Sequence, residues 1–489
     1  MKKLFALLLV LCMLCGMTSA FAQETQVDTS EFVTLTMYVV SEEPPRYKEM
    51  LEEFNAMAKE ELNCELVVNF IGWGEYQTKY PLLFSSGEEF DLVYVATWLD
   101  YANLAQRGAF LPLEELLPAY CAESMKNQPE QALLQASVEG HVYAYTSNRK
   151  TYSAYGAIVR GEYMDKYGIE EITDMESYAK FLQAIVDNEP SFTNPAGGMN
   201  DVLYDEMYLF AAGLYPLSGS TGGVYYLDPE DPEHKVIAAH EWEGFSAMCD
   251  QLQVYSEAGY WPKSILSVTD AGDVLLNQGI SASRLHNFDS WVGAHNTNPD
   301  WDMRWYNLLP EINHLSYMQD AISVPSTSKY PERALMLLDK IRSDERYYML
   351  LTYGVEGVDY TLDENDFITN LDTDLFPSEP GTWGFRVEEF YKMSAGAPEN
   401  YYEERDKLEA AVVPNIFRSF NMDTSSVKNE YAAMQNVYSQ YYNTLAAGVT
   451  TDVASDIEKL NKQAEIAGNE IIKEVLQAQV DAFFAEYGE

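Results

Sequence analysis

Among this chain's 489 residues, those best suited to chemistry are aromatic rings set beside carboxylates, and that chemistry is recognition. Trp73 stands in Gly72-Trp73-Gly74, and Trp98 in Thr97-Trp98-Leu99-Asp100. Asp289 and Trp291 share the run His286-Asn287-Phe288-Asp289-Ser290-Trp291. Glu356 lies in the turn Tyr353-Gly354-Val355-Glu356-Gly357, with Tyr360 just beyond it. A ring covers an apolar face, while a carboxylate accepts hydroxyl hydrogens at charge-assisted strength. Together they suit a polar ligand with hydrophobic faces. Each residue also has a plainer role. The two indoles can cap a sheet, Asp289 can cap a helix, and Gly354 and Gly357 already account for their turn. Trp242 reads as helix core, whereas Trp383 lies in an exposed-looking loop, Gly381-Thr382-Trp383-Gly384.

Motifs for turnover are missing. The sequence has no Gly-x-Ser-x-Gly elbow and no phosphate-cradling Gly-x-x-x-x-Gly-Lys loop. Gly72-x-Gly74 lacks the third glycine of a dinucleotide fingerprint, since Gln77 takes its place. The six histidines are scattered, none paired at metal spacing on a helix. Asn296-x-Asn298-x-Asp300 only faintly matches a calcium loop, because Trp301 replaces the glycine and Asn307 the glutamate. No catalytic residue, cofactor or metal is expected.

The elements that must position these residues begin with a strand, where Val33, Leu35, Met37 and Val39 alternate with polar neighbours. A helix follows, with Tyr47, Met50, Leu51, Phe54, Met57, Ala58 and Leu62 on one face. Leu66, Val68 and Phe70 form a second strand, Tyr76 to Phe84 a second helix, and Asp91 to Ala96 a nearly all-apolar third strand. Short connections make this a parallel, doubly wound opening. Ligands of such sheets collect beyond the carboxyl ends of the strands. Those ends fall at 41–45, 72–76 and 97–101, and two of the three carry a Trp.

Farther on, Gly140 to Thr146 and Tyr155 to Val159 read as strands, with 147–153 as a crossing between lobes. Helices are expected over Asp174 to Asp187 and Glu241 to Ala258, then a strand at Gly279 to Ser283. Ala321 to Pro325 reads as a second crossing, ahead of a helix opened by Pro331. The tail from about Asn429 is helical, with Ile472, Leu476, Val480 and Phe483 as its apolar stripe, and docking onto a lobe is expected. The expected division is 1–22 as leader, 23–148 plus about 279–322 as the N-terminal lobe, 149–278 plus about 323–428 as the C-terminal lobe, and 429–489 as a helical region.

Lys2 and Lys3, the apolar run Leu4 to Leu14 and Ala20-Phe21-Ala22 have the form of a secretory signal peptide, with cleavage expected after Ala22. Leu11 before Cys12 and Leu14 before Cys15 fit a lipid-anchoring signal poorly, so free secretion is preferred. The formal net charge of -46 repels nucleic acid and anionic lipid. Beyond the leader only Cys64, Cys121 and Cys249 remain, too few for a disulfide framework.

Several segments, in order, resemble the family 1 extracellular solute-binding proteins of bacterial ABC importers. Val33-Thr34-Leu35-Thr36-Met37-Tyr38 resembles their opening strand, and Phe54-Asn55 a pair in their first helix. Ser86-Gly87-Glu88-Glu89-Phe90-Asp91-Leu92 is similar to their Ser-Gly-x-x-Pro-Asp-Val signature, with Phe90 in place of Pro. Gly108-Ala109-Phe110-Leu111-Pro112-Leu113 and Gly140 to Ala144 match two further stretches. Ser323-Val324-Pro325 to Leu338, Tyr353 to Tyr360, and Asn429 to Phe484 with Gln477-Ala478-Gln479 resemble a subgroup of large lipoprotein-type members carrying extra C-terminal helices.

The resemblance implies an α/β, periplasmic-binding-protein-like fold, with two doubly wound lobes joined by a hinge and added C-terminal helices. It implies a monomer, outside the cell or at its surface, that captures a solute between the lobes and delivers it unchanged to an ABC permease in the cytoplasmic membrane. The subgroup's ligands point to an oligosaccharide. On that reading Trp73, Trp98, Asp289, Trp291, Glu356 and Tyr360 are the candidate ligand contacts, rings for sugar faces and acids for the hydroxyl rim. The alternatives are a secreted glycoside hydrolase, for which an unseen carboxylate pair would suffice, and a sensor subunit that presents its ligand to a membrane kinase.

Overall fold

A computed structural model describes residues 29–198, 204–218 and 222–488. The leader, with Cys12, Cys15 and the cleavage expected after Ala22, lies outside the described residues. Strand β1 (Val33–Val40) buries Leu35, Met37 and Val39 on one face, as their alternation requires. Helix α1 (Tyr47–Leu62) buries Met50, Phe54, Ala58 and Leu62 at four-residue spacing, and Asn63 in the left-handed region ends it. Strand β2 (Cys64–Ile71) then pairs parallel with β1, Val33 opposite Cys64 and Val40 opposite Ile71. The Asn55 side chain donates to the Leu66 carbonyl and accepts from its N–H, satisfying the outer edge of β2. Helix α2 (Tyr76–Ser86) leads to β3 (Leu92–Val95), parallel to β1 on its other side.

Two strands complete this sheet through antiparallel pairings. Ala321–Ser323 pairs with β3, and Tyr145–Thr146 lies beyond it, giving the order β2, β1, β3, 321–323, 145–146. The helices Pro331–Ser343 and Glu345–Tyr353 pack on α1 and share the same core. A second sheet has Tyr155–Arg160 between Ser283–Asn287 and Met303–Asn307, all antiparallel. Around it a separate core collects Met175–Asn188, Phe245–Ala258 and the C-terminal helices.

These pairings correct the expected division. Ser283–Asn287, assigned above to the first lobe, belongs to the second sheet, while the helices Pro331–Ser343 and Glu345–Tyr353, assigned to the second lobe, share the first sheet's core. A strand buried on both faces carries no periodicity that says which sheet it enters. The expected second crossing also moves, from 321–325 to the stretch just before it. Ser147 N–H donates to the Asp320 carbonyl, Leu315 to Thr151 and Ser153 to Asn313, so 147–153 and 313–320 cross side by side. The second sheet is short and antiparallel, so parallel winding is confined to the first half.

The tail docks on the second core through Ile472, Leu476 and Val480, all fully buried. Gln477 accepts from Val236 N–H and donates to the His234 carbonyl, and Gln479 makes the same two-way clasp on Asp423. Gly448 permits the turn before these helices. Its φ is +60°, and a Cβ there would stand 2.1 Å from the Leu252 carbonyl oxygen. No helix among the described residues is long and apolar enough to cross a membrane.

Candidate ligand-binding cleft

The carboxyl ends of β2 and β3 bring Trp73 and Trp98 together. Their ring centroids are 6.0 Å apart with planes 28° from parallel. Gly72 lets the Glu42 carboxylate fold over the end of β2, and that carboxylate accepts the Trp73 backbone N–H at 3.0 Å. Trp98 lies in a short 3-10 turn, Thr97–Leu99, tied to the crossing segment by the Thr97 hydroxyl donating to Gln319 Oε1. A third indole, Trp383, stands 5.7 Å from Trp73. Its turn follows Gly381, which has φ +70° and leaves 3.0 Å between a built Cβ and the side chains of Ser41 and Val39. Tyr76 meets Trp73 and Trp98 edge-on, and Tyr94 contacts Trp98 and Trp383.

Behind the rings lies a buried polar chain. The Tyr94 hydroxyl stands 2.9 Å from Asp320 Oδ1, Arg386 reaches Asp320 at 3.1 Å, and Arg386 grips Glu379 through two bonds of 2.6 and 2.7 Å. Burial lifts the Asp320 carboxyl above its ordinary value although Arg386 pulls it down. Burial would raise Glu379 as well, yet Arg386 and Arg149 hold it below. The chain joins Tyr94, on β3, to the crossing segment at Asp320.

Two cavities open between the halves. One, of about 890 Å³, is lined by Thr97, Trp98 and Asp100 from the first half and by Arg418, Asn421, Lys428 and Tyr431 from the second. Trp73, beside it in the cluster, is 44% exposed. The other, of about 600 Å³, is lined by Arg149, Tyr152, Asp289, Glu388, Tyr391 and Tyr401. Ser316 lines the first and Tyr317 the second, so the crossing segment runs between them.

The structure thus brings Trp73 and Trp98 together and places Asp289 across the crossing from them, exposed at the first turn of the helix Asp289–Thr297. Three expectations require correction. Trp291 is only 1% exposed, and its indole N–H donates to the Met303 carbonyl at 2.8 Å, so it is core of the second half. Tyr360 is buried in a small satellite core with Tyr348 and Tyr353. Glu356 is exposed on the turn beside it, and neither lines either cavity. That turn is held instead by Asp359, which accepts the Val355 N–H and pairs with Arg46 at 2.8 Å. Trp242, read as helix core, precedes its helix, which starts at Phe245. Trp383, which the sequence could not rank, joins the indole cluster, and Arg149 had no sequence signal. A turn glycine precedes both Trp73 and Trp383, at Gly72 and Gly381. Among the described residues, no three His, Cys, Asp or Glu side chains cluster as a metal site.

The model of the bacterial extracellular solute-binding proteins matches residues 41–345, and a model for a domain of unknown function matches 416–485. A carbohydrate ABC transporter substrate-binding protein from Streptococcus pneumoniae serotype 4 is 21% identical over 476 residues, covering 96% of this chain and 94% of that one. The crystal structure of an N-glycan transport solute binding protein from Streptococcus pneumoniae superposes with a TM-score of 0.79 at 22% identity, over 93% of this chain and 99% of that one. The same protein in complex with Man1GlcNAc gives 0.77 at 21% identity, over 93% and 100%. An alginate-binding protein gives 0.65 at 15% identity, over 93% and 99%. The periplasmic-binding-protein-like fold and the family match agree, and the chain belongs to the bacterial extracellular solute-binding proteins.

Proposed function

We propose that this protein captures an oligosaccharide between its two halves and hands it unchanged to an ABC permease. The observation that carries this reading is the cluster of Trp73, Trp98 and Trp383 at the carboxyl edge of the first sheet, beside a groove of about 890 Å³ walled by both halves. Indole faces stack on the C–H faces of a pyranose, and the surrounding amides and carboxylates exchange hydrogen bonds with its hydroxyls. A groove of that size suits several sugar residues. The relatives named for carbohydrate and N-glycan transport support the same ligand class. Export through the Lys2-to-Ala22 leader, and action as a monomer, complete the proposal.

Calorimetric titration with mannose-containing and other oligosaccharides tests it. Saturable binding with an intact, recoverable glycan is expected, and melting should move upward with ligand concentration. Release of new reducing ends would point to a hydrolase. Absence of binding and of any melting shift across the panel would overturn the capture reading.

A further inference from the structure

The second interlobe cavity has an arginine that the indole cluster does not use. Arg149 lines it, is only 8% exposed, and packs its guanidinium 3.6 Å over the Tyr391 ring. Asp289 Oδ1 and Glu388 Oε2 each stand 3.9 Å from its nitrogens. Both gaps exceed hydrogen-bond length. Among the described residues the guanidinium therefore has Asp289, Glu388 and Glu379 in electrostatic range and no hydrogen-bonded side-chain acceptor. Arg386, by contrast, is engaged with Glu379 and Asp320. The Arg149 nitrogens line the cavity, where a ligand oxygen can accept from them.

We propose that Arg149, Asp289 and Glu388 form a subsite that reads neighbouring hydroxyls of an uncharged sugar, so that the cleft selects neutral over acidic glycans. This rests on the oligosaccharide reading above and narrows its ligand. A hydroxyl both donates and accepts. Set beside either 3.9 Å gap, one hydroxyl oxygen accepts from the guanidinium and donates to the carboxylate, both at ordinary lengths. Two adjacent hydroxyls fill both gaps, a spacing the planar guanidinium fork matches. A ligand carboxylate only accepts. Beside Arg149 it would lie against Asp289 and Glu388, leave both without a donor, and meet like charge. Three basic and five acidic side chains line the cavity, which adds to that repulsion.

The test is binding of the full chain to an array of neutral, sialylated and uronate-bearing glycans, followed by calorimetry of Asp289→Asn and Glu388→Gln on the strongest array ligand. Both side chains are largely exposed, so melting should stay near that of the parent protein, whereas Arg149→Met could disturb the crossing and serves only as a supplement. Array signal confined to neutral glycans is expected, with each variant binding about tenfold more weakly. The double variant should gain affinity for uronate-bearing glycans. Preference for acidic glycans would overturn the subsite, as would unchanged affinity in both variants while Trp98→Ala still abolishes binding. Either result leaves glycan capture standing. No array signal and no melting shift with any glycan would overturn both readings.

Discussion

Trp73 and Trp98 follow different strands, yet their rings overlap at 6.0 Å, with Trp73 also within 5.7 Å of Trp383. The parallel pairing of β2 and β3 on either side of β1 sets this proximity, since it ends both strands on the same edge. One flank of Trp73 is left in solvent beside the other two rings.

Trp73→Ala should separate binding from folding. The ring is 44% exposed but packs on Tyr76, Trp98 and Trp383, so its loss should cost about 1–3 kcal/mol while weakening oligosaccharide binding about tenfold. Paired calorimetry and urea denaturation read the two quantities. A loss of stability with unchanged affinity would make the ring a structural cap.

Trp291→Ala should behave in the opposite way. It removes a buried indole and leaves the Met303 carbonyl without its 2.8 Å donor. A loss of about 3–5 kcal/mol is expected. Chemical denaturation should show it, and affinity measured where the variant is still folded should be near that of the parent.

At Gly448, substitution by Ala should destabilise the chain by about 2 kcal/mol or more. The residue has φ +60°, and the new Cβ would meet the Leu252 carbonyl carbon and oxygen at 2.3 and 2.1 Å. Hydrogen exchange should report the loosening first in Phe245–Ala258 and Val453–Ala467, which pack on each other near this turn. Unchanged melting would show that the helices can part at little cost.

Acid should weaken the fold through His286. Burial, with Arg284 nearby, pushes its imidazole down to about 3. An unfolded histidine takes up its proton near pH 6.5, so the unfolded chain binds more protons between those values. The contribution of neutral His286 is complete above about pH 6.5 and is lost progressively as pH falls toward 3. Burial raises Asp205 and acts in the opposite sense, but it does so equally in a His286→Gln variant. The melting difference between parent and variant should therefore shrink steadily from pH 7 to pH 4. A constant difference would show that His286 does not titrate with folding.

Local pattern was enough to read the opening of the first sheet. The alternation in Val33–Val40 and the stripe Met50, Phe54, Ala58, Leu62 each point to one element with one buried face. From those elements the connection rules give a parallel sheet, and its carboxyl edge identifies Trp73 and Trp98. The stripe Ile472, Leu476, Val480 likewise required a partner surface for the tail.

What only the tertiary structure decided was partnership. Ser283–Asn287 and Ala321–Ser323 are short and buried, and nothing in a buried strand's own side chains says which sheet will hydrogen-bond to it. The same holds for the tryptophans. Trp291 and Trp383 are chemically identical rings, one sealed against Met303 and the other beside the cleft indoles, because burial depends on what the rest of the chain stacks upon each ring. Arg149 stood out for the same reason. Its setting depends on two carboxylates far away in sequence, Asp289 and Glu388, which folding holds just beyond bonding reach.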